Sequence, residues 1–142
     1  MNLIKRLSLL FLFLSFYTQA QQLNIKSCDS LSTQKEINAC VFKIYNTSQS
    51  QLEKTYHLFL KKLEHKIKYE VPKQSQKSKN LKQFLKESQM HWRLTRDYNA
   101  QAKSSFELIP LKADYAYYKS KTLESLNRIQ YFEKLADSLK LK

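Results

Sequence analysis

Residues 33–70 read TQKEINACVFKIYNTSQSQLEKTYHLFLKKLEHKIKYE, and this stretch decides the fold. Ile37, Val41, Ile44, Ser48, Leu52, Tyr56, Phe59, Leu63 and Ile67 recur at three- and four-residue steps, the spacing that lines side chains along one face of an α-helix. In front of that run, Thr33-Gln34-Lys35-Glu36 has capping-box form, with Glu36 able to reach back to the free N–H of the cap. A helix is therefore expected to open in the Ser32/Thr33 region. Nothing interrupts it until Val71-Pro72, where the proline disfavours helical geometry in the residue before it. At 1.5 Å per residue a helix from Thr33 to about Tyr69 is roughly 55 Å long. A rod of that length with one apolar stripe must be covered by something.

Downstream, Pro72 to Asn80 is rich in Lys, Gln and Ser and reads as a solvated connection. A second helix is expected after it, with Leu81, Phe84, Leu85, Ser88, Trp92 and Thr95 on its buried face and fraying near Lys103-Ser104-Ser105. Phe106 to Pro110 forms a short apolar link. The stretch Lys112 to Leu141 then carries a third helix, with Tyr115, Tyr118, Thr122, Leu126 and Ile129 on one side. The chain has no glycine and only two prolines, whereas hairpin-rich sheets call on glycine at their turns. The expectation is an all-α fold: an antiparallel helical bundle of about three long helices, burying their stripes against each other. The heptad-like stripe of the first helix also suits a coiled-coil homodimer, if part of so long a helix projects beyond the bundle.

Upstream, Lys5 and Arg6 precede an apolar run from Leu7 to Tyr17, and Thr18-Gln19-Ala20 ends it in the manner of a signal-peptidase site. The run falls short of the roughly 20 residues needed to span a bilayer. Residues 1–20 thus read as a cleavable signal peptide and 21–142 as one exported domain with no transmembrane segment, destined for the periplasm or the exterior. Cleavage removes two basic residues from a chain whose formal net charge is +13, leaving it strongly basic. Cys28 and Cys40 are the only cysteines; in an oxidising compartment they are expected to pair, closing a short loop at the start of the first helix. Such a bridge contributes on the order of 3 kcal/mol.

No pattern for catalysis, a cofactor or a metal is visible. His57 and His65 are two helical turns apart, and His91 has no carboxylate partner in its own segment, so all three read as surface or boundary histidines. Trp92 reads as core; of the neighbouring Tyr115, Tyr117 and Tyr118, at least one should be exposed. Arg96-Asp97, one turn beyond Trp92, reads either as a tie to another helix or as a solvated pair. Asn46-Thr47-Ser48 has the form of a glycosylation acceptor but falls inside the first helix.

The charge is unevenly placed. Lys61, Lys62, Lys66, Lys68, Lys73, Lys77, Lys79, Lys82 and Lys86 face only Glu64 and Glu70 within their span. A hairpin of the first two helices would gather them at its tip, where they would attract anionic lipid, phosphate-bearing or polyanionic ligands. The alternative is a solubilising surface that also complements the helix dipole. All nine are lysines rather than arginines, so binding there would be electrostatic and salt-sensitive. Tyr69 and Phe84 flank the same tip, Phe84 being expected in the core.

Cys28, Thr33-Gln34, Glu36, Asn38 and Cys40, then Leu52, Tyr56 and Leu63, resemble the amino-terminal pattern of the lysozyme inhibitor LprI-like domain family. Gln89, Trp92, Arg96 and Asp97 look like the same family's Gln-x-x-Trp-x-x-x-Arg-Asp stretch. The resemblance runs from Cys28 to about Thr122 and implies a small exported helical domain, in some members an inhibitor of host or bacterial lysozyme. Many members carry four cysteines; here the third falls at Ala100 and the fourth at Tyr117. Losing both together supports the Cys28–Cys40 pairing. An arginine expected shortly after Thr122 appears as Ser125. Against an inhibitor stands its charge: common lysozymes are basic, like-charged proteins dock poorly, and Glu124, Glu133 and Asp137 are spread along the last helix. On charge alone, anion binding ranks slightly ahead of lysozyme inhibition.

Overall fold

The computed structural model describes residues 24–70 and 76–141. The segment read as a signal peptide, and Pro72 and Lys73, lie outside the described residues. A short 3-10 helix, Ile25–Ser30, leads into three long helices: α1 (Gln34–Glu70), α2 (Gln76–Ser105) and α3 (Pro110–Ser138). No strand occurs among the described residues. None of the described helices is long and apolar enough to cross a membrane.

Each boundary has a chemical cause. α1 opens on the expected capping box, with the Thr33 N–H donating to Glu36 Oε2 at 3.0 Å and the Glu36 N–H to Thr33 Oγ1 at 3.2 Å. α2 begins at Gln76, so the solvated connection is shorter than the sequence suggested. Its first turn, Gln76-Lys77-Ser78-Lys79, holds no apolar residue, and periodicity had nothing there to mark. α3 starts two residues before the expected Lys112, with Pro110 in its first turn, where the missing N–H costs nothing. After α3, Lys140 takes a left-handed conformation at φ 51°. The Leu141 N–H then donates back to the Ala136 carbonyl at 3.0 Å, which seats Leu141 in the core. Glycine usually fills such a position; this chain has none, and a lysine does it instead.

The bundle runs up, down, up. Contacts between α1 and α3 climb together, from Asn38 on the Leu111 carbonyl (2.8 Å) through Gln49 on Ser125 (2.6 Å) to Tyr56 beside Phe132, so these two helices are parallel. α2 is antiparallel to both: Arg93 bonds Glu53, and Lys82 pairs with Glu64. α3 packs against α1 and α2 alike and is the central helix. The whole expected stripe of α1, Ile37 to Ile67, is buried or half-buried. Its apolar residues therefore meet the rest of the bundle rather than projecting toward a second copy.

Two apolar cores result. One gathers Leu52, Tyr56, Phe59, Leu63, Ile129, Phe132 and Leu141. The other, smaller, gathers Ile25, Cys28 and Val41, with Ile37, Ile44, Tyr115 and Tyr118 packed on it. The Cys28–Cys40 disulfide, Cα–Cα 5.7 Å, ties the 3-10 helix to α1 at this second core. Between the cores the contacts are small and polar: Ser48, Thr122 and Ser125 are fully buried. Each sends its hydroxyl to a carbonyl of its own helix, which removes the cost of burying it and lets α1 and α3 approach closely.

Two expectations are corrected. On α2, Phe84 is 63% exposed, and Ser88, Thr95 and Leu81 are exposed as well. The inward stripe is Leu85, Gln89, Trp92, Arg96, Ala100 and Ser104. Three of its members, Gln89, Arg96 and Ser104, are polar, so a reading by hydrophobicity was drawn to the flank that carries Phe84. On α3, Tyr115, Tyr117 and Tyr118 are all half-buried, and none is exposed. A central helix has neighbours on two sides and has room for three tyrosines: Tyr118 meets Phe42 and Tyr45 of α1, while Tyr117 lies under Lys121.

Candidate functional site

The Gln89-Trp92-Arg96-Asp97 group is built as a latch across the belt between the cores. Arg96, only 6% exposed, donates to Gln49 of α1 at 2.6 Å, to Ser125 of α3 at 3.4 Å and to Asp97 at 2.8 Å, and its guanidinium lies over the Trp92 ring. The tie to other helices is therefore the reading that holds, and the solvated pair is not. Lys121, also buried, reaches Asp97 at 3.1 Å and Tyr117 at 3.3 Å. Burial pulls its ammonium pKa down, but hydrogen bonds with Tyr45, Asp97 and Tyr117 outweigh that and hold it above the ordinary lysine value. Burial likewise pushes Asp97 up, and bonds from Arg96 and Lys121 more than reverse it, so its carboxyl sits below the usual range.

Arg128 of α3 completes the latch. It donates to Gln89 at 3.0 Å and lies over the Trp92 ring, three positions after Ser125, where the sequence pattern led one to look for an arginine. These groups bond one another and hold three helices in register; of them only Gln89 Nε2 is buried without a partner. The three histidines are exposed. No cluster of metal-ligating side chains occurs among the described residues.

The lysine-rich pole is where α1 ends and α2 begins. Lys61, Lys62, Lys66, Lys68, Lys82 and Lys86 lie on these two helix ends. Lys77 and Lys79 fall in the first turn of α2, but their side chains, like all of Lys73, lie outside the described residues. Sequence reasoning missed the effect of the parallel third helix, which returns to the same pole. It sets Glu133 and Asp137 beside Lys62 around one hollow of about 220 Å³. Lys82 is engaged by Glu64, whose pKa that partner lowers. The pole is thus basic with acids interleaved.

At the opposite pole, the link between α2 and α3 projects beyond the bundle. Phe106 is 86% exposed, Leu108 97% and Ile109 51%, with the exposed Glu107 among them. The link is nonetheless held at both ends. The Glu107 N–H donates to the Ser104 carbonyl, Lys112 and Ala113 donate to Ile109, and Asn38 of α1 grips the Leu111 carbonyl. Beside it lies an open hollow of about 320 Å³ lined by Asp29, Gln34, Ile37, Glu107, Lys112 and Tyr115. Tyr115, its phenol pKa raised by burial and by Asp29, donates to that carboxylate at 2.5 Å. The sequence marked these residues only as a short apolar link; the positions of the two helix ends reveal that they face water.

Compared with known proteins, residues 26–140 match the family described as lysozyme inhibitor LprI. The match takes in both cysteines, the latch and all three helices. No curated protein and no solved structure matches the chain.

Proposed function

This chain belongs to the lysozyme inhibitor LprI family, and from that premise we propose that it is an exported, non-catalytic protein that stops a lysozyme by binding to it. The observation that carries this reading is the family match over residues 26–140. The latch supports it, because Arg96, Asp97, Lys121 and Arg128, the charged groups best placed to do chemistry, are committed to each other, to Gln49 and to Gln89. Export rests on Lys5, Arg6 and the apolar run ending at Ala20, and on a disulfide that needs an oxidising compartment.

The charge objection weakens once the positive charge is placed along the rod. From the start of α1 to Lys61 is about 40 Å of helix, several times the ~8 Å screening length at physiological salt. Around the disulfide, Lys26, Lys35, Lys43, Lys103, Lys112 and Lys119 are largely but not fully offset by Asp29, Glu36, Glu107 and Asp114, so that end is less basic than the far pole. A basic enzyme meeting that end is little repelled by the far one.

The test is lysis of cell-wall suspensions by lysozyme with and without the purified protein. Slowed lysis at stoichiometric protein is expected; a full-rate lysis curve at micromolar protein contradicts the reading.

The lysine pole supports a second reading, binding of anionic lipid headgroups or polyanions, because six described lysines gather on the ends of two adjacent helices. Retention on anionic vesicles or heparin at low salt, lost as salt rises and lost on replacing Lys73, Lys77, Lys79 and Lys82 by Glu, is the expected result. Unchanged retention in that variant removes the pole from consideration.

A further inference from the structure

We propose that the inhibitor docks through its disulfide-bridged end, with the Phe106-Glu107-Leu108-Ile109 prong entering the enzyme's cleft and Glu107 meeting a basic side chain from its rim. This rests on the lysozyme reading above and names the surface that performs it.

Exposure is the first argument. Leaving Phe106 and Leu108 almost fully in water forgoes the burial that large apolar side chains ordinarily gain. Elsewhere among the described residues exposed apolar side chains stand on helix surfaces, Met90, Leu94 and Tyr98 along one face of α2 among them, but none is as exposed as Phe106 and Leu108. Here several stand together at one end, on a four-residue link that projects beyond the bundle.

Stiffness is the second. A floppy loop loses conformational freedom on binding, whereas a held one does not. Helix-end hydrogen bonds at Ser104 and Ile109, the Asn38 grip on Leu111 and the disulfide beneath fix the prong before any partner arrives. A narrow convex feature fits a concave site, and substrate sites of enzymes are concave.

Charge is the third, and it selects the occupant. In the hollow at the foot of the prong, Asp29 already accepts from Tyr115, whose ring lies under Lys119, and Lys112 stands opposite them beside the apolar Ile37. Glu107, carried on the prong itself, is the acid that suits the cationic head of an arginine or lysine, with Ile37 beside its stem. A basic lysozyme presents such side chains in number; an anionic surface does not. A second copy of this chain, also basic, is the competing occupant.

The experiment measures lysis inhibition by wild type, by Phe106→Ser/Leu108→Ser and by Glu107→Lys, with Leu94→Ser as a control that removes another exposed apolar side chain, from the middle of α2. Both prong variants alter exposed groups and should keep the wild-type melting temperature. Each is expected to raise the concentration for half-inhibition by about tenfold or more, as loss of an interface anchor does; the control should stay within about twofold. Prong variants that inhibit like wild type overturn the proposal while leaving the lysozyme reading intact. Absence of inhibition by wild type overturns both. Sedimentation of wild type alone tests the competing occupant: a dimer that the double variant dissociates, with lysis inhibition unaltered, assigns the prong to self-association instead.

Discussion

Arg96 shows at the scale of one residue how this protein spends polar groups. Its guanidinium is buried among Gln49, Ser125, Asp97 and the Trp92 ring, and so joins all three helices at the level where apolar packing is interrupted. Truncation would leave Gln49 Oε1 without its donor and open a gap beside the Trp92 ring, although Ser125 keeps Gln49 and Asp97 keeps Lys121. Arg96→Ala is expected to cost about 3 kcal/mol in chemical denaturation; a loss below about 0.5 kcal/mol would mean that the latch is ornamental. Asp97 supplies a pH test. Its folded-state pKa lies below its unfolded value, so the stabilisation it provides is present above about pH 4 and is lost as pH falls through the folded value. Lys121, held above its ordinary value, loses its contribution only on the alkaline side, as pH rises through that raised value. The gap in melting temperature between wild type and Asp97→Asn should therefore narrow as pH drops below about 4. A gap of constant size down to pH 2 would show that the carboxylate charge is not what matters.

At the scale of the element, the three helices differ in how much they reveal. α1 is legible in full: its capping box, its nine-residue stripe and its stop before Pro72 all follow from local chemistry, because one helix face meets one neighbour. α2 is legible in existence and in its end near Ser105, but not in its face. Gln89 and Arg96 are buried for the bonds they make across to α1 and α3, and no rule of periodicity ranks a buried arginine above an exposed phenylalanine. Phe84→Ser is accordingly expected to change stability by no more than about 0.5 kcal/mol, whereas Phe132→Ala, in the core, should cost about 3–5 kcal/mol. Denaturant titration of the pair decides between the two faces, and a large loss at Phe84 would restore the face read from the sequence. α3 hides its role most, since a helix buried on two sides has no clean stripe, and small polar residues such as Thr122 and Ser125 do its packing. The disulfide belongs to this scale as well. Replacing Cys28 and Cys40 by Ala should lower stability by about 3 kcal/mol and loosen the 3-10 helix against α1; unchanged stability would mean that the second core holds that segment unaided.

For the whole molecule, the decisive fact is polarity along the rod. One pole carries the lysine-rich helix ends, moderated by Glu133 and Asp137. The other carries the disulfide, the small second core and the apolar prong, with a hollow of mixed charge at its foot. The lysine cluster was visible in the sequence because like residues are adjacent in the chain. The docking end was not, because Asp29, Ile37, Glu107 and Tyr115 come from four separate stretches that only the bundle brings together. The family pattern was legible from Cys28 to about Thr122, while the arginine that completes the latch appears at position 128 of this chain.

Hydrogen exchange of the protein with and without one equivalent of lysozyme puts the two poles in direct competition. The account predicts slowed exchange in residues 104–116 and in the 3-10 helix, with residues 61–86 unchanged. Protection confined to residues 61–86, or none anywhere, would contradict it.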